Sequence, residues 1–363
     1  MAHRPRTLPA ALALVAALAA CAPDGPAALQ SAPLGGVQSC APGAITGQGS
    51  SAQANAVNIW IRSYQAACPD AAIEYGSIGS GAGLRAFIAG TGDFAGTDAL
   101  LTAEDQPKAD ERCGQAPAIH LPMVVGPVAL AYNVAGLGDL RLSPATIARI
   151  FAGTAKAWND PAIAADNPGA TLPPTPIKTV HRADSSGTTN SFTSFLAATA
   201  GGDWSFGSGT SWKAPGGEER RGNAGMAAAV TQTDGAIGYM EWSYAQANNL
   251  DTAKVGNSAG QFVELTNQAA GRAVATAEVS GAGGDLRLAL DYDTTTQDAY
   301  PVVLVTYEVV CAKGTRPASL DLVKGFLAYT SSPAGQQAVT RLGYTPLPEE
   351  IRARVATTVS ALG

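Results

Sequence analysis

The amino-acid sequence predicts an α/β protein of two lobes with a cleft between them. Its 363 residues exceed the roughly 250–300 at which a single hydrophobic core stops growing. Short β-branched runs alternate with stretches of helical periodicity, which indicates parallel strands joined by helices. Two long apolar runs, 123–132 and 302–310, each fit a strand that crosses from one lobe to the other.

The composition excludes several classes of protein. Hydrophobic residues make up 46% of the chain and charged residues 14%, so intrinsic disorder is not expected. The formal net charge is −6, which predicts no basic surface and therefore no nucleic-acid partner. No 18-residue apolar run follows the first 20 residues, so no later membrane span is predicted.

Residues 1–21 are typical of a secretion signal that ends at a lipid-modified cysteine. Arg4 and Arg6 supply the positive start, and the apolar stretch 8–20 is too short to span a bilayer. The sequence LAAC at 18–21 resembles the bacterial lipobox, which implies cleavage before Cys21 and an anchor of acyl chains such as palmitate on its sulfur. Cleavage would change the net charge from −6 to −8. The alternative is an ordinary signal followed by a chance cysteine.

The chain after the signal divides into a tether and two lobes. Residues 22–39 are rich in Pro, Gly, Ala and Ser, and predict a flexible tether with a reach of roughly 23 Å. We expect lobe I to comprise 40–124 and 302–363, and lobe II to comprise 125–301. Three helices near 320–329, 333–342 and 348–362 would complete lobe I. The folded part would then lie at the outer face of the cytoplasmic membrane.

Four cysteines remain after Cys21. An even number of cysteines in an oxidising compartment indicates disulfides, and four cysteines allow three pairings. We favour Cys40–Cys68 and Cys113–Cys311, each of which would need a pair of neighbouring strands. Zinc is the alternative, but no CxxC or clustered His/Cys spacing supports it, and we expect no metal.

Three junctions repeat one pattern, in which an apolar run leads through a Gly- and Ser-rich turn into an amphipathic helix. The turns lie at 47–51, 76–83 and 182–189. A helix N-terminus presents unpaired backbone N–H groups and the positive end of a dipole, so it suits an anion. A single Ser at such a place is usually only an N-cap, but the three together indicate an anion-binding site.

Three charged residues refine this prediction. Arg182 precedes the third turn, where its planar guanidinium can bind two oxygens of an anion, and Asp184 would hold it in place. A surface ion pair is the alternative. Asp98 can only accept hydrogen bonds when ionised, so it would favour an anion that carries a proton, as hydrogen phosphate does and sulfate does not. Its alternative role is a helix cap before 100–102.

Six motifs, in this order along the chain, resemble the phosphate-binding proteins of high-affinity phosphate ABC transporters, the PstS family. They are 79–83 (GSGAG), 93–98 (DFAGTD), 156–163 (KAWNDPAI), 182–188 (RADSSGT), 221–223 (RGN) and 235–239 (GAIGY). The resemblance runs from about Cys40 to the C-terminus. The lipobox and the extra cysteines are similar to those of the actinobacterial lipoproteins in this family.

The resemblance implies a type II periplasmic-binding-protein fold, with a mixed sheet in each lobe and phosphate held in the cleft. It implies no cofactor, metal or catalysis, and membrane permease subunits as partners of a monomeric receptor. The implied phosphate-binding residues are Ser51, Ala52, Ser80, Asp98, Arg182, Ser186, Gly187 and Thr188, with Asp184 orienting the arginine. His181 and Ser185 stand where many members have Arg and Gly, and neither change removes a ligand donor.

Other functions are weighed against this one. Residues 47–52 fit the GxGxxA pattern of dinucleotide enzymes, with Asp70 or Glu74 at a suitable distance, but a lone match is weak. A serine hydrolase would have only His120 and His181 after cleavage and no GxSxG motif, and we expect His120 to be a packed residue. A receptor for another oxyanion and a non-catalytic adhesin are the remaining alternatives.

Overall fold

A computed structural model describes residues 36–275 and 277–363, together with Met1. The predicted signal 1–21, with Cys21, lies outside the residues that it describes, apart from Met1, and so does most of the predicted tether 22–39. From residue 36 onward the chain belongs to a single compact unit. None of the helices in this part of the chain is long and apolar enough to cross a membrane.

The described residues form strands and helices that alternate over much of the chain. The strands are β1 (Gly43–Gly49), β2 (Ala71–Ser77), β3 (Phe94–Thr97), β4 (Ala118–Asn133), β5 (Arg141–Leu142), β6 (Lys178–Arg182), β7 (Glu218–Arg220), β8 (Ala236–Glu241), β9 (Asp251–Thr252), β10 (Lys254–Gly256), β11 (Phe262–Val263), β12 (Glu278–Val279), β13 (Leu288–Ala289) and β14 (Val303–Cys311). The helices are α1 (Ala54–Ala67), α2 (Ser80–Ile88), α3 (Gln106–Arg112), α4 (Pro144–Phe151), α5 (Pro161–Asp166), α6 (Gly187–Thr199), α7 (Gly222–Gln232), α8 (Trp242–Ala247), α9 (Asn267–Val274), α10 (Pro317–Ser331), α11 (Pro333–Thr340) and α12 (Glu349–Ser360).

The main sheet is mixed, which confirms the predicted α/β class. Its strand order is β2-β1-β3-β14-β4-β8-β6-β7, with β9 paired to β4. Strand β1 runs parallel to β2 and β3, and β6 runs parallel to β7 and β8. Between these two parallel groups, β14 and β4 are antiparallel to each other and to their neighbours. The sheet therefore has a parallel group on each side of an antiparallel centre.

Strands β4 and β14 are the two long apolar runs that the sequence singled out. Both are buried almost throughout, as expected for strands covered on both faces. The first part of β4 pairs with β14, and its last part, 128–133, pairs with β8. One strand thus belongs to both halves of the sheet. Strand β4 begins at Ala118, earlier than the predicted start at 123, and the lobe boundaries stay a prediction.

The C-terminal helices α10, α11 and α12 confirm the three helices predicted there. Helices α10 and α11 pack beside α1, and α12 packs on α10. Trp60 of α1 is fully buried and donates its indole N–H to the Gly335 carbonyl of α11 at 2.7 Å. A buried indole N–H needs such a partner. The contact joins α1, near the start of the described chain, to helices near its end.

Both predicted disulfides are present. Cys40 is bonded to Cys68 and Cys113 to Cys311, with 5.3 Å between the Cα atoms of each pair. Cys40 and Cys68 precede the paired strands β1 and β2, and Cys311 ends β14 beside the start of β4. The preference for cysteines near neighbouring strands is confirmed.

Candidate anion-binding site

Four helix N-termini meet in the interior of the molecule. The backbone N–H of Gly187, the first residue of α6, donates to Ser80 Oγ at the start of α2, over 3.2 Å. The backbone N–H of Asn223 in α7 donates to Ser51 Oγ ahead of α1, over 3.1 Å. The positive ends of four helix dipoles therefore converge on one region, which favours an anion there.

Two serine hydroxyls at this meeting point keep a proton to donate. Ser80 Oγ accepts from the N–H groups of Asp98 and Gly187, both at 3.2 Å. Ser51 Oγ accepts from the backbone N–H of Asn223 and, at 2.9 Å, from its side-chain amide. A hydroxyl has two acceptor positions and one proton. With the acceptor positions filled, each hydroxyl acts as a donor: Ser80 donates to Asp98 Oδ2 over 3.4 Å, and Ser51 has its proton left for a ligand.

Arg182 is the buried cation of the site, with 2% of its surface exposed. Its Nε donates to Asp184 Oδ1 at 2.7 Å, and its Nη2 donates to Asp184 Oδ2. The Gly222 N–H donates to the same carboxylate at 3.1 Å. Burial tends to raise the pKa of Asp184, but the hydrogen bonds and charge of Arg182 outweigh it and lower the pKa. Asp184 therefore stays ionised and fixes the guanidinium.

One nitrogen of that guanidinium remains unused. Arg182 Nη1 is buried and has no hydrogen-bond partner among the described residues. A buried charged donor without a partner is costly, and a bound anion would remove that cost. Asp184 occupies the other edge of the fork, so Nη1 is the atom that Arg182 has available for a ligand.

Asp98 is the acidic counterpart at the site and is 6% exposed. Its Oδ2 accepts from Ser50 Oγ at 2.6 Å and lies 3.4 Å from Ser80 Oγ. Its Oδ1 is buried and has no partner among the described residues. Burial raises the pKa of Asp98 to about 6, against the opposing effects of the Ser50 hydrogen bond and the Arg182 charge. Near neutral pH the carboxyl is mainly ionised, so Oδ1 can accept a hydrogen bond but cannot donate one, and a ligand facing it has to supply the proton.

Two further buried carboxyl groups lie in the same electrostatic environment. Burial raises the pKa of both Glu241 and Glu308 to about 8, and each is further raised by the charge of Asp98. Glu308 Oε1 accepts from Gln53 Nε2 at 3.1 Å, and Glu241 Oε2 accepts from the Ser243 N–H at 3.1 Å. A pKa raised in this way favours the protonated form at neutral pH, in which neither group repels an anion.

Glycine allows the two sides of the site to approach closely. A Cβ on Gly187 would lie 2.5 Å from Asp98 Cβ, so a side chain there would push α6 away from Asp98. Gly79, at φ +92°, precedes α2, and a Cβ on it would overlap Asp184. These close contacts explain why both positions are glycine.

The remaining predicted residues lie at the same helix starts. Ser186 caps α6, with its Oγ accepting from the Thr189 N–H at 3.1 Å. Thr188 Oγ1 lies 3.4 Å from Asn223 Nδ2. The Ala52 N–H, implied as a ligand donor, instead donates to Ser50 Oγ at 3.0 Å. The structure thus brings the predicted residues together, while Ser186 and Ala52 already have intramolecular partners.

Sequence reasoning missed Ser50, Asn223 and Gly222 as parts of the site. Ser50 donates to Asp98, Asn223 holds Ser51, and Gly222 donates to Asp184. The motif at 221–223 was the available signal, because it places a glycine and an amide at the start of α7. A cavity of about 330 Å³, lined by Ser51, Asp184 and Gly222 among others, opens beside these residues.

The two positions that depart from the family pattern have other contacts. The His181 ring stacks on Trp212, with ring centroids 5.0 Å apart, and its Nε2 lies 3.1 Å from the Gly216 carbonyl oxygen. Ser185 donates its hydroxyl to Thr210 Oγ1 at 2.9 Å, and its carbonyl accepts from the Gly81 N–H at 3.1 Å. Ser185 therefore helps to join the two sides of the site through its backbone. Among the described residues, no group of three His, Cys, Asp or Glu side chains is arranged to hold a metal ion.

This mixed sheet with an anion site among helix N-termini is the architecture of substrate-binding proteins of the periplasmic-binding type. Residues 36–334 match the family model described as PBP superfamily domain. The phosphate-binding protein PstS 3 of Mycobacterium leprae is 39% identical over 358 residues, which cover 97% of this chain and 96% of that protein. PstS 3 of Mycobacterium tuberculosis is 41% identical over 321 residues, 88% of this chain and 86% of that protein.

A solved structure shows the same fold. The phosphate-binding protein from Stenotrophomonas maltophilia superposes with a TM-score of 0.69 at 21% identity, over 87% of this chain and 93% of that chain. The chain belongs to the PBP superfamily and, within it, to the PstS family of phosphate-binding proteins.

Proposed function

We propose that this protein binds one inorganic phosphate ion at the site described above and delivers it to an ABC transporter for uptake. The observation that carries the proposal is a pair of buried atoms, Arg182 Nη1 and Asp98 Oδ1, that have no hydrogen-bond partner within 36–275 and 277–363. One is a charged donor and the other a charged acceptor. An anion that also carries a proton satisfies both atoms and balances the charge of Arg182, and hydrogen phosphate is such an ion.

The other groups at the site suit the remaining phosphate oxygens. The Ser51 hydroxyl has a proton to donate, whereas the Ser80 hydroxyl donates to Asp98 Oδ2 over a long 3.4 Å. Thr188 lies in the first turn of α6, where backbone N–H groups have no helical partner. Sulfate would place an oxygen lone pair against Asp98 Oδ1, which repels it. The same chemistry predicts rejection of other fully deprotonated anions.

We further propose that the ligand is enclosed between lobe I (40–124 and 302–363) and lobe II (125–301). The hydrogen bonds from Gly187 to Ser80 and from Asn223 to Ser51 join these two segments around the site. Strands β4 and β14 pass side by side between them, and closing would take place about these strands. In this proposal the chain binds and releases its ligand without catalysing a reaction, and the names of its relatives describe phosphate binding.

The proposal includes the location and partners of the protein. Export by the signal 1–21, lipidation of Cys21 and the tether 22–39 would hold the protein at the outer face of the cytoplasmic membrane. There it would act as a monomer and dock on the permease subunits of the transporter. The relatives named as PstS phosphate-binding proteins support the transporter partner, while export, lipidation and the monomeric state rest on the sequence and its family resemblance.

Calorimetric titration tests the proposal. The chain from residue 22 onward is freed of ligand by mild unfolding, refolded, and titrated first with phosphate and then with sulfate. We expect tight 1:1 phosphate binding and no response to sulfate. A folded, stripped sample that binds no phosphate would refute the proposal, and binding of sulfate or molybdate instead would assign the site to another oxyanion.

A further inference from the structure

His120 is a fully buried residue of β4 whose two ring nitrogens both have partners. Nδ1 lies 2.9 Å from Asp285 Oδ1, and Nε2 lies 3.0 Å from the backbone nitrogen of Leu101. The backbone N–H of His120 also donates to Asp285 Oδ1, at 2.8 Å. As the sequence predicts, His120 is packed, but its contacts reach a segment of the candidate site.

These contacts determine which ring nitrogen carries the proton. The Leu101 N–H can only donate, so Nε2 accepts and carries no proton. Asp285 forms an ion pair with Arg287, 2.7 Å from Asp285 Oδ2 to Arg287 Nε. Burial tends to raise the pKa of Asp285, but the contacts with His120 and Arg287 lower it, so Asp285 is an ionised acceptor. Nδ1 therefore carries the proton, and the imidazole is neutral in one defined tautomer.

The segment that His120 contacts is the one that carries Asp98. In this segment the N–H groups of Asp98, Ala99 and Leu101 all donate to side chains. Asp98 donates to Ser80 Oγ at 3.2 Å, Ala99 to Thr97 Oγ1 at 3.1 Å, and Leu101 to His120 Nε2. Ser80 is at the site and Thr97 belongs to the preceding strand. His120 thus supplies the anchor at the far end of the segment.

We propose that His120 is a positioning residue for ligand selection. As a neutral acceptor, it holds the segment from Asp98 to Leu101 in the position where the Asp98 carboxylate faces the anion. Without this acceptor the Leu101 N–H is left buried and unpaired, and the segment shifts to satisfy it. Discrimination between phosphate and sulfate depends on the placement of one carboxylate oxygen, so it is the property most sensitive to such a shift. The inference rests on the proposed phosphate-binding function.

Two amide substitutions separate the contacts of His120. The His120→Gln side chain reaches the position of Nε2 and can accept from Leu101, whereas the His120→Asn side chain reaches only the position of Nδ1. Phosphate and sulfate affinities are measured by calorimetry for both variants and the wild type, with thermal unfolding as a measure of stability. We expect His120→Asn to lower the phosphate-to-sulfate affinity ratio by about tenfold and His120→Gln to keep it near the wild-type value.

Both variants lose a ring that packs against Tyr307, so both should be less stable, and stability alone would not separate them. An unchanged ratio in His120→Asn, or an equal loss in both variants, would overturn the inference. Nitrogen NMR of the wild-type imidazole gives a test that needs no variant, and we expect it to show the tautomer protonated on Nδ1. Observation of the tautomer protonated on Nε2 would also overturn the inference. A wild-type protein that binds no phosphate would instead refute the proposed function.

Discussion

Asp98 and Asp184 are two aspartates at one site, with opposite electrostatic surroundings. Asp184 receives two hydrogen bonds from Arg182 and one from the Gly222 N–H, and its pKa is lowered despite burial. Asp98 receives hydroxyl hydrogen bonds on one oxygen only, and burial raises its pKa to about 6. Two differences separate the pKa values: Asp98 is the more deeply buried residue, and the partly buried Asp184 has the guanidinium as a direct partner.

The comparison shows how one site can contain two carboxylates and still attract an anion. The negative charge of Asp184 is compensated by Arg182 before any ligand arrives, so its role is to fix the guanidinium. Oδ1 of Asp98 has no hydrogen-bond partner among the described residues, so its role is to favour a ligand that carries a proton over one that does not. Four predictions follow from this division of roles, taken in order of decreasing expected effect.

Replacing the arginine should have the largest effect. Arg182→Ala removes the only buried cation identified at the site and leaves Asp184 without its partner, so phosphate affinity should fall by about 3–5 kcal/mol. Calorimetry measures this loss, and circular dichroism checks that the variant is folded. Arg220→Ala, which removes a neighbouring but exposed arginine paired with Glu218, is the matched control and should bind normally. Retained affinity in a folded Arg182→Ala variant would remove Arg182 from the site.

Neutralising each aspartate in turn should separate their roles. In Asp98→Asn the amide can donate to a sulfate oxygen. The phosphate-to-sulfate affinity ratio should therefore fall roughly a hundredfold, which corresponds to a loss of about 2–3 kcal/mol in the difference between the two binding free energies. In Asp184→Asn the guanidinium is held less firmly, so both anions should bind more weakly while their ratio is kept. The two variants serve as controls for each other in competition titrations. Equal changes in the ratio would show that the two carboxylates do not have different roles.

Acid should weaken sulfate rejection without any mutation. The pKa of Asp98 is raised to about 6, so the carboxyl becomes protonated as the pH falls through that value and then offers a donor O–H. Sulfate affinity should rise by up to tenfold for each unit that the pH falls toward about 6, because above this value binding takes up one proton, and it should level off below about 6, where the carboxyl is already protonated. Asp98→Asn should lack this dependence. A flat sulfate affinity between pH 7.5 and 5 in the wild type would contradict the role of Asp98.

The smallest expected effect is on the midpoint of that pH dependence. Ser50 donates to Asp98 Oδ2 at 2.6 Å and thereby lowers the pKa of Asp98, against the effect of burial. Ser50→Ala removes this donor, so the midpoint of sulfate binding should move upward by about one pH unit or less. The same titrations measure it. A midpoint that moves downward would mean that the Ser50 hydroxyl stabilises the protonated form.

The parts of the site that depend on local sequence could be predicted. Arg182 and Asp184 are two residues apart at the end of a strand, so their pairing follows from spacing alone. The glycine- and serine-rich turns mark helix starts, and alternation of strands and helices gives the α/β class. The long apolar runs likewise correspond to the two central strands, β4 and β14. In each case the signal lies within a few consecutive residues.

The parts that depend on contacts between distant segments could not be predicted. Ser51 is held by Asn223, which is 172 positions away in the sequence, and His120 faces Asp285 across 165 positions. No local pattern indicates such a partner. The acidic residues Glu241 and Glu308 lie in apolar strands, and only the fold shows that both are buried near Asp98. The charge of the site is therefore a property of the tertiary structure.

A crystal structure of the protein with phosphate tests the central claim most directly. The claim is that one bound ion satisfies both Arg182 Nη1 and Asp98 Oδ1. We expect the ion among the starts of α1, α2, α6 and α7, with these two atoms within about 3 Å of different phosphate oxygens. Phosphate bound elsewhere, or bound at this place with Asp98 Oδ1 in contact with none of its oxygens, would contradict the account.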